Sequence, residues 1–319
     1  MRLFIRVPLP AAMTTTSKTP IAAPSVDGAR PRAARWVGII GAVAVLALQA
    51  CSTVRLAYNN ADEVAYWWID SYVDFTPTQS QRMREDLARL HRWHRDNELR
   101  PVAELLLQAE QLVPGDVDGP QVCTVVDGLR SRLQAVVAQA EPSLTTLALD
   151  LDGAQLQTLR TKYAKQNAEY RKEWIDVSAE KRIDRRYRQV LERSESVYGR
   201  LTPAQRDSVR RQIAQSRFDP QRHLAERQRQ QQDVLRMLEG WRSARPSLSE
   251  ARSQLRGVIA RGFDSPDGGY RAYQQELQRE SCESFAAAHN TTDATQREAA
   301  VKRLRDYRAE IAALSVAPS

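Results

Sequence analysis

Apolar residues recur at steps of three and four along most of the chain after residue 54, with polar residues between them, the period of helices buried on one side. From Val54 to Val73 the stripe is Tyr58, Ala65, Tyr66, Ile69, Tyr72 and Val73. Phe75-Thr76-Pro77-Thr78-Gln79 then opens a helix predicted to reach about Asn97, with Met83, Leu87, Leu90 and His94 along one side. Pro101 interrupts that pattern, and a continuation ends at Pro114-Gly115. A further helix is predicted from about Gln121 to Ala140, broken at Pro142. The longest runs from Ala154 to about Tyr198, with Gly199 as its C-cap. Later helices begin near Pro203, Pro220, Ser249, Gly269 and Ala294. Alternating β-branched runs bounded by turn residues are absent. The predicted class is all-α, an elongated bundle of about eight or nine helices.

One local pattern repeats. Phe75-Thr76-x-x-Gln79 followed by Met83-Arg84, Leu151-Asp152-x-x-Gln155 followed by Leu159-Arg160, and Leu201-Thr202-x-x-Gln205 followed by Val209-Arg210 share one arrangement, with Asp293 and Gln296 as a weaker fourth copy. The physics is helix initiation: Thr or Asp accepts an early backbone N–H, Pro at the first helical position wastes no donor, and Gln three places on reaches back as a capping box. The starts at 75, 151 and 201 are unevenly spaced, which excludes a solenoid of fixed period. The pattern resembles the Leu-Thr-x-x-Gln motif of small periplasmic helical chaperones and stress-sensor inhibitors; capping alone generates the same pattern.

The chain start reads differently. Arg30-Pro31-Arg32-Ala33-Ala34-Arg35 precedes an apolar run of 13 residues, Trp36 to Leu48. Thirteen helical residues cover about 20 Å, short of a hydrocarbon core of about 30 Å, so the run is an h-region of a signal peptide, not a stable span. Leu48-Gln49-Ala50-Cys51 resembles the lipobox of bacterial lipoprotein precursors. That resemblance implies cleavage before Cys51, diacylation of its thiol and acylation of the new amino group, which would anchor the chain to a membrane. Ser52 in place of Asp favours the periplasmic face of the outer membrane. The expected organisation is a leader over residues 1–50, with translation starting at Met1 or Met13, and one helical domain over residues 51–319.

Composition sharpens this. The 319 residues are 42% hydrophobic and 27% charged, which argues against wholesale disorder, and a mean hydropathy of -0.54 excludes a polytopic membrane protein. The net charge of +8 is partly a leader effect: from Cys51 onward 41 basic residues face 38 acidic ones. Arg alternates with Glu, Asp and Gln throughout, the mark of an ion-paired surface and not of a nucleic-acid footprint. Cys123 and Cys282 are the other two cysteines. In an oxidising compartment such a pair bridges; two unpaired core thiols are the other reading.

A wider resemblance rests on Tyr58-Asn59, Asp62, Ala65-Tyr66-Trp67-Trp68, Asp70, Tyr72-Val73-Asp74-Phe75, Trp93-His94, Cys123, Cys282, His289-Asn290, Thr292, Gln296 and Tyr307. These are similar to an uncharacterised family of lipoproteins of Gram-negative proteobacteria, a domain of unknown function. The resemblance implies the anchor and the helical fold, and no activity.

Candidate chemistry is sparse. His91 and His94, with Glu98 four places further, share a helix face and are weak candidates for a metal, with His223 or His289 as a possible further ligand; packing beside Trp93 is the plainer reading. Asp62-Glu63 and Asp70 with Asp74 more often cap or pair with Arg than serve as general acids. Phosphate loops, serine elbows and Cys–His nucleophile motifs are absent. Tyr66, Trp67 and Trp68 point in three directions around a helix, so all three cannot share one core face; packing in the core and against a neighbouring helix is one reading, a membrane or partner surface the other. The segment from Gln221 to Arg236, rich in Gln and Arg, reads as a solvated outer face or a docking face for an anionic partner. The functional expectation is a lipid-anchored, non-catalytic scaffold or chaperone-like protein of the envelope, holding a protein or lipid partner, with no cofactor and no nucleic acid. The alternatives are a metal-assisted hydrolase using His91 and His94 or, without export, an Arg-rich nucleic-acid binder.

Overall fold

Most helices in this chain begin where a side chain satisfies the first unpaired backbone N–H groups. The computed structural model describes residues 54–316; Cys51 and the leader lie outside the described residues. The chain divides at Asn60 into two units, and of the first only a helical stretch over residues 54–59 and the turn at Asn60 are described. The second contains eleven helices: α1 (Ala61–Val73), α2 (Pro77–Asn97), α3 (Leu99–Leu112), α4 (Gly119–Leu149), α5 (Gly153–Trp174), α6 (Ala179–Tyr198), α7 (Pro203–Gln215), α8 (Pro220–Ala244), α9 (Leu248–Phe263), α10 (Gly268–His289) and α11 (Ala294–Val316). The all-α class holds and the described residues contain no strand; the expected count of eight or nine is too low. Among the described residues no helix is long and apolar enough to cross a membrane.

The helices of this unit close over two main cores. The larger joins Tyr66 and Val73 of α1, Met83 and Leu87 of α2, Leu147 of α4, Leu156 and Leu159 of α5, Leu238 and Trp241 of α8 and Leu255 of α9. The second joins Val113, Tyr198, Leu201, Val209, Ile213 and Ala300, bringing α6, α7 and α11 together. A small third cluster packs Tyr170 and Trp174 of α5 against Leu224 of α8. Helix α4, about 46 Å long at 1.5 Å per residue, packs against α2, α3, α8, α9 and α10.

Two expected boundaries are corrected. The helix predicted to stop at Pro142 runs through it, because its neighbours hold the turn: Thr145 Oγ1 donates to the Glu141 carbonyl at 2.9 Å and to its carboxylate at 3.0 Å, and Arg252 clamps that carboxylate from α9. The single helix expected from Ala154 to Tyr198 is two. Trp174 ends α5 by turning into the third cluster, the Ser178 hydroxyl caps α6 by accepting the Lys181 N–H at 3.3 Å, and Arg182 and Arg185 donate to the carbonyls of Val177 and Glu173 left free at the break. No Pro or Gly marks this turn; Ser178 is its only local sign. Gly199 does end α6, at φ 75°.

Candidate functional site

The four copies of the helix-start pattern meet in two pairs. At α2, Thr76 accepts the Gln79 N–H and the Gln79 carbonyl oxygen Oε1 accepts the Thr76 N–H at 3.0 Å; at α5, Asp152 and Gln155 do the same at 2.8 and 3.1 Å. The two glutamines then bond each other: Gln79 Nε2 donates to Gln155 Oε1 at 3.2 Å and Gln155 Nε2 returns a bond to Gln79 Oε1 at 2.6 Å. The remaining N–H of each donates to the carbonyl two places before its partner's cap, Asp150 and Asp74, both at 3.1 Å. Each amide has used two donors and two lone pairs, its full inventory. That is what permits two polar side chains to sit buried beside the larger core.

The same scheme recurs between α7 and α11. Gln205 and Gln296 exchange bonds of 2.8 and 3.0 Å, and donate to the carbonyls of Thr291 and Arg200 at 2.8 and 3.1 Å. Their Oε1 atoms accept the N–H groups of the caps Thr202 and Asp293. The weak fourth copy is therefore a full partner. Sequence reading found the boxes and missed the pairing, because nothing local says which box meets which. Asp118 and Gln121 form a further capping box, yet Gln121 stays exposed and caps only its own helix.

Around the second pair the chain is tied down. His289, 1% exposed, holds the Tyr198 hydroxyl at Nδ1 (2.9 Å) and the Gly115 carbonyl at Nε2 (2.8 Å); burial pushes the Tyr198 phenol up to about 12. The Asn290 side chain accepts the Val117 N–H and donates to the Val117 carbonyl, at 2.9 and 3.0 Å. Thr292 donates to the His289 carbonyl at 2.6 Å. The bridge between Cys123 of α4 and Cys282 of α10 closes with Cα atoms 5.5 Å apart.

The remaining candidates separate. His91 Nδ1 lies 3.9 Å from Asp62, and Glu98 is buried with Arg132 at 3.8 Å. His223 packs against Tyr170 and Phe218, and His289 is bonded as above. Among the described residues no three His, Cys, Asp or Glu side chains are grouped to hold a metal ion, so no third ligand joins His91 and His94. Burial, and then the neighbouring His91, lowers the His94 pKa from its ordinary value. Asp70 accepts the Phe75 N–H at 2.8 Å and Asp74 adopts φ 57°, so both finish α1.

Tyr66 is buried, donating to Ser80 at 3.0 Å under the Arg84 guanidinium, whereas Trp67 and Trp68 are exposed. The stretch from Gln221 to Arg236 keeps an exposed face, with Gln221, Arg222, Ala225, Gln228, Gln232 and Arg236 on it, and turns Leu224 and Glu226 inward. Helix α8 packs on α4, α5 and α9, and the charges on its inner side pair within the unit, with Arg229 bonded to Glu226 and Asp233, Arg261 to Asp233, and buried Ser265 to Glu226. Polar composition does not mark this inner side, because Arg261 and Ser265 lie far along the chain. An open groove of about 640 Å³ runs beside α11, lined by Pro114, Thr292, Arg297, Val301 and Arg305 among others; its Arg297 and Arg305 are held by Asp116 and Glu110.

A family model matches residues 71–256, more than half of the chain. The chain belongs to the family of unknown function DUF6279. No curated protein and no solved structure matches it. The DUF6279 match takes in Gln79, Gln155, Gln205 and Cys123, and stops before Cys282, His289 and Gln296. The matched DUF6279 stretch thus contains the first glutamine pair whole and half of the second. The expectation of an uncharacterised family is met at that level.

Proposed function

We propose that this protein is a lipid-anchored, non-catalytic scaffold or chaperone-like lipoprotein of the bacterial envelope, held through Cys51 at the periplasmic face of the outer membrane and presenting its helical unit to a protein or lipid partner. The observation that carries the reading is the Cys123–Cys282 bridge, which suits an oxidising compartment and agrees with the leader and with Leu48-Gln49-Ala50-Cys51. The arrangement of the polar residues is in keeping: the motif glutamines, His289 and Asn290 are all committed to holding helices together. A disulfide-tied frame of this kind suits a protein that presents surface.

The test is the intact mass of the protein extracted from native membranes, before and after reduction and alkylation. The expected result is a chain that starts at acylated Cys51 and yields two alkylatable thiols only after reduction. A full-length, unacylated chain with free thiols in the soluble fraction would overturn the reading. Suppression of aggregation of a model client, or an envelope protein recovered by cross-linking in membranes, is expected to follow; neither appearing would count against the scaffold role.

A further inference from the structure

Helix α1 is apolar on two sides. Its inner side puts Tyr66 and Val73 into the larger core, with Ala65, Ile69 and Tyr72 packed against it. Its outer side carries Val64, Trp67 and Trp68 at helical steps of three and four, 39, 61 and 42% exposed. A surface helix ordinarily turns polar residues outward, and adjoining exposed indoles mark an interaction surface.

The border of this stripe is charged. Helices α2 and α5, on which α1 packs, supply its cations. The Arg84 guanidinium lies 3.7 Å from the Tyr66 ring centroid and 5.4 Å from that of Trp67, and also pairs with Glu63. Lys162 Nζ donates to Ser71 Oγ at 3.0 Å and lies 5.2 Å from the Tyr72 ring centroid. Exposed Lys165 follows one turn further along α5. Indoles favour the headgroup layer of a bilayer, where the ring is sheltered and its N–H stays wet, and flanking cations meet lipid phosphates there.

Chain length points to the same occupant. Ten residue steps separate Cys51 from Ala61, a tether of at most about 35 Å when fully extended. An acylated Cys51 keeps α1 within that reach of a lipid surface. We propose that Val64, Trp67 and Trp68, flanked by Arg84 and Lys162, form a membrane-contact face that rests in the headgroup layer of an anionic bilayer and orients the helical unit on it. This rests on the lipid-anchor reading above.

The test uses the mature lipidated protein reconstituted into phosphatidylethanolamine–phosphatidylglycerol vesicles whose acyl chains carry bromine near the headgroups. Tryptophan emission is expected to be quenched relative to unbrominated vesicles. The quenched component is expected to be lost in Trp67→Phe/Trp68→Phe, retained in Trp93→Phe, and weakened in Lys162→Gln. Unchanged far-ultraviolet circular dichroism would show the double variant folded, as its exposed positions predict. Anchored protein without quenching, or with quenching that survives the double substitution, would overturn the membrane contact while leaving the anchor standing; the face would then belong to a protein partner. Protein that washes off the vesicles with an unacylated mass would overturn the anchor, and the contact with it.

Discussion

The glutamine pair at α2 and α5 and the pair at α7 and α11 use one hydrogen-bond scheme in two different settings. The first stands beside the larger core, where α1 reaches it through the left-handed Asp74, whose carbonyl accepts from Gln155. The second stands beside the smaller core, where α6 ends at Gly199 and the loop from Val113 to Asp118 is fastened by His289 and Asn290. Its neighbourhood also carries the disulfide, through α10, which ends at His289. The difference teaches that a local motif sets the geometry of a junction, while its surroundings set how firmly that junction is held. A well-packed core supports the first pair, and covalent and side-chain ties support the second.

The largest break in this comparison is expected from removing the covalent tie. Cys123→Ser with Cys282→Ser opens a loop with a sequence separation of 159, which the chain-entropy model values at about 5 kcal/mol. Denaturant midpoints check the magnitude. Hydrogen exchange checks the asymmetry: protection near Gln205 and Gln296 is expected to fall further than near Gln79 and Gln155, and equal losses would mean that both junctions are held alike.

Next in size is the loss of a buried donor. Gln79→Glu replaces an N–H pair by a carboxylate facing the Asp150 carbonyl and Gln155, and is expected to destabilise by about 2–4 kcal/mol. Gln121→Glu, in the exposed capping box, should stay within about 0.5 kcal/mol. Similar values for the two would show that capping, and not pairing, carries the stability. A double-mutant cycle within either pair, Gln79→Ala with Gln155→Ala or Gln205→Ala with Gln296→Ala, should give a coupling of about 1 kcal/mol or more, whereas Gln79→Ala with Gln205→Ala should add within about 0.5 kcal/mol.

The smallest effect is in pH. The His94 pKa is lowered by burial and by His91, so the unfolded chain binds that proton more readily than the folded one. This part of the stability is present above the ordinary histidine range, near pH 6.5, and is lost as pH falls through and below it. Because His94 lies on α2, mild acid should loosen the first pair before the second. His94→Asn should flatten the dependence in chemical denaturation between pH 7 and 5, and an unchanged slope would assign the effect to another group.

Much of the fold was legible because helix starts are local events. Thr76, Asp152, Thr202 and Ser247 precede their helices within a few residues, and Pro77, Pro203 and Pro220 sit at first helical positions. What escaped local reading depended on distant partners. Helix α4 continues through Pro142 because Arg252, 110 or so residues away, helps hold Glu141. Trp174 at the end of α5 packs against Leu224, and the inner side of α8 is held by Asn167, Arg261 and Ser265.

The candidate site divides the same way. That Tyr66, Trp67 and Trp68 cannot share one face follows from 3.6 residues per turn, but that Tyr66 is the one turned inward was decided by Ser80 and the core beneath it. By itself, the order of residues determined the helical class, most helix starts, the four capping boxes and the Cys123 and Cys282 pair as bridging candidates, because periodicity and capping act over one or two turns. Only the tertiary structure decided which box meets which, that Gln121 is left out, and that the polar run after Pro220 has a side turned inward. A glutamine carries no local mark of whether its remaining donors will find water or another glutamine; long-range packing settles that.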